Sequence, residues 1–171
     1  MAKIIKTIDA YVATFEKISF EQFKKDTKMD GQLAWNVYKN IQIPTRATRL
    51  SAGYDFVSPL TIRDFAPGEI VNIPTGIRVQ MASDYVLLIF VRSSLGFKHQ
   101  TVLVNGTGVI DADYYYADNE GHIWVKLRND SDHAFDIRAG DKLVQGVLVS
   151  YGLAQEVTPE KFRSGGIGST D

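Results

Sequence analysis

The chain has 171 residues, 44% of them hydrophobic and 23% charged, with a formal net charge of −1. That length makes one domain with a real core, and the near-neutral balance gives no bulk basic surface for nucleic acid, so an anionic ligand would need a local cluster of Arg, Lys or backbone N–H groups. The absence of cysteine excludes disulfides and thiolate metal sites. The opening MAKIIKT lacks the apolar core of a signal peptide and no apolar run approaches the roughly 20 residues that span a bilayer, so a cytoplasmic protein with no membrane segment is expected.

Residues 3–9, KIIKTID, read as a first strand. Ser19 stands where it can cap a helix, with Gln22 at the capping-box position, and Phe20 and Phe23 share a face opposite a polar KKD. Asp30-Gly31 breaks the pattern. LAWNVYKN then resumes helical spacing through Leu33 and Val37, and through Ala34 and Tyr38.

From Ile41 the texture is β. VNIPTGIRVQM, YVLLIFV, TVLV, HIWVKL, FDI and KLVQGVLVSY are short, β-branched or aromatic, and separated by PG, TG, NG, ND and AGD turn signals. Many short strands without an internal repeat predict a mainly β fold, as a sandwich, jelly roll or small barrel. Within it, GVIDADYYYADNEGHIWV (108–125) reads as a hairpin with Asp111 at its entrance. An acid beside apolar strand residues costs stability unless it is exposed, paired or useful. The C-terminal FRSGGIGSTD holds three glycines, two serines and a threonine. It reads either as a frayed terminus or as a Gly-rich flap that closes on an anion, and Arg163 at its start favours the flap. His99, His122 and His133 are too scattered to suggest a metal trio, and no Ser-His-Asp or Cys-His constellation supports nucleophilic catalysis.

Five stretches carry a resemblance: SAGYDF (51–56), VRSSLG (91–96), NGTGVIDADY (105–114), GDKLVQ (140–145) and RSGGIGST (163–170). In this order they resemble the five motifs of the trimeric deoxyuridine triphosphatases, the dUTPases. Arg46-Ala47-Thr48 before SAGYD, and APGEIVNIPTGI (66–77), which looks like the family's connecting hairpin, extend the resemblance over residues 41–170. YYYADNEGHI looks closest to the branch found in some Gram-positive bacteria and their phages. The resemblance implies a jelly-roll or β-barrel protomer of the β-clip kind, a single domain over residues 1–171. Residues 12–40 would be a helical insertion, 41–160 the β-barrel core and 161–171 a flexible C-terminal arm. It further implies a homotrimer with each active site built from three chains at subunit interfaces. The reaction would be dUTP and water to dUMP and pyrophosphate, with Mg²⁺ on the triphosphate.

The same resemblance distributes roles. Asp111 matches the general base that deprotonates the water attacking the α-phosphorus; the plain alternative is an Asp ending a strand. Tyr114 matches the ring under the deoxyribose, whose bulk leaves no space for a 2′-hydroxyl. Its alternative is cross-strand packing, which suits Tyr115 and Tyr116. Asn105 matches the amide that reads uracil, with Gly108 in the hairpin backbone that supplies further contacts; the alternative for Asn105 is an Asn-Gly turn. Arg92, Ser93 and Ser94 match the phosphate loop, with Lys98 and His99 at its edge, and Gln145 matches a phosphate-contacting amide. Asp55 matches the acid that anchors Arg92 and the waters around Mg²⁺, which is compatible with a plain structural salt bridge. Arg163 would act as an arginine finger from another chain, on an arm whose Ser169 and Thr170 close over the γ-phosphate.

Three departures stand out. Ile167 replaces the Phe that usually stacks on uracil, only two glycines follow Ser164 before it, and Asp171 stands where Gly is usual. The stretch 12–40, rich in Phe and carrying Trp35 and Tyr38, either packs on its own barrel or offers a surface to a partner protein or neighbouring subunit. Two other functions compete. One is a dCTP deaminase, which shares the fold and an RSS loop but would need a Glu base where this chain offers Asp111 and Tyr114. The other is a regulatory interaction protein on a dUTPase scaffold.

Overall fold

The computed structural model describes residues 11–155. The strand expected at 3–9, and Arg163, Ile167, Ser169 and Thr170 of the C-terminal motif, lie outside the described residues.

In chain order, β1 (Ala13–Lys17) leads into α1 (Phe20–Thr27) and α2 (Gly31–Tyr38). Then come β2 (Thr45–Arg46), β3 (Tyr54–Val57), β4 (Ile62–Phe65), β5 (Ile70–Pro74), β6 (Ile77–Met81) and β7 (Tyr85–Val91). Next are α3 (Ser93–His99), β8 (Thr101–Leu103), β9 (Gly108–Ile110), a 3-10 helix (Ala112–Tyr116), β10 (Trp124–Asn129), β11 (Phe135–Ile137) and β12 (Lys142–Ser150). The strands form a five-stranded sheet β2-β3-β12-β7-β9, a three-stranded sheet β5-β10-β8, and the pairs β1-β6 and β11-β4. Every described pairing is antiparallel. The result is a mainly β, jelly-roll-like fold. The alternation visible in YVLLIFV works as read: Leu87 and Ile89 point into the core while Phe90 faces outward.

Two expected hairpins are not hairpins. In 108–125, β9 pairs with β7 whereas β10 pairs with β5 and β8. The chain between them winds into the 3-10 helix, closed by Tyr114 N–H on Asp111 C=O at 3.2 Å. It turns back through Glu120 (φ 56°) and Gly121 (φ 71°). In 66–77, β5 pairs with β10 and β6 with β1, so the Thr75-Gly76 signal marks a corner where the chain changes sheet. Gly76 is left-handed (φ 68°). The Thr75 hydroxyl donates to Ile123 C=O at 2.6 Å and accepts from Ile77 N–H at 3.1 Å, which satisfies the bend internally.

Within 12–40 the chain first adds β1 to β6 and then forms the two helices. Ser19 caps α1, its hydroxyl accepting from Gln22 N–H at 3.1 Å. The reciprocal half of the capping box comes from elsewhere. Glu120 accepts from Ser19 N–H at 2.7 Å and from its hydroxyl at 2.6 Å, while the Gln22 amide donates to Asp26 at 2.7 Å. Asp30 caps α2 by accepting from Gln32 and Leu33 N–H, both at 3.0 Å. Phe23, Val37 and Ile41 are buried in the same core as Phe56, Ile77 and Leu143. Burial of each such side chain contributes roughly 1.5–3 kcal/mol. Residues 12–40 are therefore packed on the strands that follow them. Leu33 and Trp35 remain 49% exposed on α2.

Candidate active site

Two groups of side chains gather most of the described candidate residues. The first lines a cavity of about 470 Å³ that includes Asn105, Gly108 and Tyr114, together with Ile89, Leu103 and Trp124. Gly108 opens β9 opposite Ile89, and a Cβ there would lie 3.0 Å from the Ile89 Cβ, so glycine lets this wall close up. Asn105 sits at the turn before left-handed Gly106 (φ 72°) and its amide donates to Thr107 C=O at 3.3 Å, so it is a turn residue that also lines the cavity. Tyr114 is buried. Its hydroxyl donates to His122 C=O at 2.8 Å and accepts from the Asn119 amide at 2.8 Å. Asp111 is exposed and follows directly on Ile110, another lining residue, with extended backbone (φ −78°, ψ 156°) before the 3-10 turn.

The second group surrounds Asp55 on β3. Its carboxylate is buried; one oxygen accepts from Arg92 Nη1 at 2.5 Å, and the other forms an ion pair with Lys142 Nζ 2.8 Å away. Two cations offset the cost of desolvating one acid. Arg92 follows β7 and stands at the N-cap of α3, and its Nε is buried with no hydrogen-bond partner among the described residues. Ser93 and Ser94 open α3 and are both exposed. Gln145 on β12 pairs in register with Asp55. A Cβ on Gly53 would lie 2.6 Å from the Gln145 carboxamide oxygen, so the glycine of SAGYDF makes room for the glutamine of GDKLVQ.

Sequence reasoning missed several participants. Lys142 stood inside a quoted motif but was given no role. Trp124 and Lys126 line the cavity beside Asn72, the register partner of Lys126. The alternation in HIWVKL already put both on one face. Tyr115 and Tyr116 do not pack across strands, because they lie in the 3-10 helix. Tyr115 donates to Glu16 at 3.0 Å beneath the Arg78 guanidinium, and Tyr116 is 72% exposed. His99 is turned onto Phe135, ring centroids 4.0 Å apart, which is packing. Burial, then His133 and Lys98, lower its pKa. His122 is not incidental. It is fully buried, with Nδ1 2.7 Å from an Asp26 carboxylate oxygen and Nε2 accepting from Gly76 N–H at 3.0 Å. Among the described residues, no group of three or more His, Asp or Glu could hold a metal ion, and no helix is long and apolar enough to cross a membrane.

Comparison with known proteins identifies the family. The dUTPase family model matches residues 39–171. The chain is 46% identical over 138 residues to the deoxyuridine 5′-triphosphate nucleotidohydrolase of Lactococcus lactis, spanning 78% of this chain and 91% of that protein. The dUTPase of Streptococcus mutans superposes with a TM-score of 0.64 at 35% identity, covering 83% of this chain and 98% of that one. A dUTPase from phage phi11 of Staphylococcus aureus shares the fold, with a TM-score of 0.64 at 23% identity over 90% of this chain and all of the other. With five motifs in order, the β-rich fold and a family match over three quarters of its length, the chain belongs to the dUTPase family.

Proposed function

We propose that the protein hydrolyses dUTP to dUMP and pyrophosphate, with Asp111 as general base. The carrying observation is the cavity that gathers Asn105, Gly108 and Tyr114, with Asp111 one residue beyond its wall. Asp111 takes a proton from a water that attacks the α-phosphorus, the bond to the bridging oxygen breaks, and pyrophosphate leaves. Tyr114 excludes ribose by its ring face. Its hydroxyl already donates to His122 and accepts from Asn119, so the ring is what it offers the sugar. Asn105 reads uracil beside the Gly108 backbone.

Arg92, Ser93, Ser94 and Gln145 bind the phosphates, and the unmatched Arg92 Nε is a donor suited to an oxyanion. Arg163, Ser169 and Thr170 close the arm over the γ-phosphate, with Ile167 covering the base, and neighbouring copies of a homotrimer complete each site. The donor set fits Mg²⁺ carried on triphosphate oxygens and water, because the described residues hold no carboxylate cluster and both Asp55 oxygens already face cations. Asp55 would reach the ion through water, and the bound ion would neutralise triphosphate charge. The chain is a single dUTPase-like domain, with 12–40 as insertion, 41–160 as core and 161–171 as arm.

Pyrophosphate release from dUTP, dCTP, dTTP and UTP with Mg²⁺ tests the reaction. Release selective for dUTP is expected. Ammonia from dCTP would instead mark a deaminase, and no turnover of any nucleotide would overturn the enzymatic reading. A second role rests on Leu33 and Trp35, whose half-exposed surface on α2 suits a protein partner beside catalysis. Loss of a partner in Trp35→Ser with catalysis intact would support it.

A further inference from the structure

We propose that Asp26, on the helical insertion, is a positioning residue for the deoxyribose pocket: acting through His122 it holds Tyr114, so that α1 helps set discrimination between dUTP and UTP. The inference rests on the Tyr114 reading above and deepens it.

The contacts form an unbroken chain. His122 is fully buried and uses both ring nitrogens. Gly76 N–H donates to Nε2 at 3.0 Å, so the ring proton sits on Nδ1 and points at the Asp26 carboxylate 2.7 Å away. This fixes one tautomer and one ring orientation. On the main-chain side, the His122 carbonyl accepts the Tyr114 hydroxyl at 2.8 Å, and His122 N–H donates to Asn119 C=O at 3.1 Å. Asn119 also donates to the Tyr114 hydroxyl at 2.8 Å and accepts from Gly121 N–H at 3.2 Å. Gly121 is pressed against Tyr114 so closely that a Cβ there would lie 2.7 Å from the Tyr114 carbonyl oxygen. The loop 119–122 is therefore folded around the tyrosine that lines the cavity, and its one buried imidazole is tethered to α1. Without Asp26, the Nδ1 proton of the buried ring loses its tethering acceptor and the ring is free to tilt toward another. The carbonyl that holds Tyr114 moves with it. Asp26 lies outside residues 39–171 matched by the family model, so this support belongs to the insertion.

The insertion has a second tie, from Ser19 to Glu120, that does not pass through His122. That provides a control. The test measures kcat and KM for dUTP and for UTP in Asp26→Ala, Asp26→Asn, Ser19→Ala and Tyr114→Leu. Asp26→Ala is expected to reduce the dUTP-over-UTP ratio of kcat/KM about tenfold. The loss for dUTP should fall on KM, with kcat within about twofold. Asp26→Asn keeps an acceptor and should restore most of the ratio. Ser19→Ala removes the α1 cap but keeps the backbone N–H tie to Glu120, so it should lower Tm and leave the ratio unchanged. If Asp26→Ala does not fold, Asp26→Ser decides, since it admits a water beside the imidazole yet leaves it untethered. A folded Asp26→Ala or Asp26→Ser protein with the wild-type ratio overturns the inference. If Tyr114→Leu collapses the ratio in that case, the Tyr114 reading survives alone; if Tyr114→Leu also keeps the ratio, both fall.

Discussion

The cavity around Tyr114 and the cluster around Asp55 are built from opposite materials. The cavity wall is largely apolar, with Ile89, Leu103 and Trp124 brought together from both larger sheets, Ile123 added just before β10, and the Gly108 backbone pressed against Ile89. Its shape is a property of packing, which is short-ranged and rigid. The Asp55 cluster sits on neighbouring strands of one sheet, and two long cationic side chains converge on a single acid. Its strength is electrostatic, and it falls where water and salt reach the partly exposed Arg92 and Lys142. A site that must reject a 2′-hydroxyl needs the first kind of order. A site that must grip and then release a polyanion is better served by the second.

The comparison can be broken most decisively at the residue beside the cavity. Asp111→Asn should lower kcat by about 10²–10⁴-fold, the usual worth of a positioned general base, with Tm unchanged. Pyrophosphate release reads it directly, and a variant that keeps near-wild-type turnover removes Asp111 from the chemistry. At the charged cluster, Asp55→Asn leaves two cations facing a neutral amide. It should cost about 3 kcal/mol in urea unfolding and raise KM. An unchanged midpoint would mean that the cluster is solvated and the contrast with the cavity is false.

On the cavity side, acid should act through His122. His122 is held below its ordinary value of 6.5, chiefly by burial, against the opposing pull of Asp26 and Glu120. Protonation would also set an Nε2–H against the Gly76 N–H. Since the unfolded chain takes up the proton first, this contribution to stability is whole above pH 6.5 and is lost as pH falls through the lower folded value. Tm measured on descending pH should drop more steeply below that point in wild type than in His122→Gln. Equal slopes would place the acid sensitivity elsewhere. The smallest change expected is a gain. Ile167→Phe restores an aromatic face for uracil and should raise kcat/KM about two- to tenfold, the equivalent of roughly 0.5–1.5 kcal/mol. No gain would show that the arm does not cover the base.

What could be read in the sequence followed the reach of each signal. Strands β7, β10 and β12 were legible because their alternation is local. Helix α1 was legible because Ser19 caps it from an adjacent position, and α2 because its apolar spacing is local, although Asp30 read as a break and is in fact the α2 cap. Strand partners were not. A turn signal such as Thr75-Gly76 says that the chain bends, and is silent on whether the next strand returns to the same sheet. Helix α3 was missed because SSLGFKH carries an internal glycine and buries none of its residues. In the site, the pairing of Arg92 with Asp55 was foreseen through the motif resemblance. Lys142 was overlooked because a lysine next to a turn resembles any solvated lysine until its partner across the sheet is known. His122 was considered only as a metal ligand because its partner, Asp26, is 96 residues away.

The Thr75-Gly76 corner has a consequence in time. Gly76 accepts the Ile18 N–H at 3.0 Å and donates to His122, while Thr75 reaches Ile123. Three segments widely separated in the chain therefore meet at two residues, and the full set of bonds forms only when all three are in place. Each closure is entropically costly until the others are in place, which puts this step among the slow ones, on the order of milliseconds to seconds for non-local β pairing. The loop that holds Tyr114 is fastened to that corner. Refolding protein should acquire sheet structure first and nucleotide selectivity last.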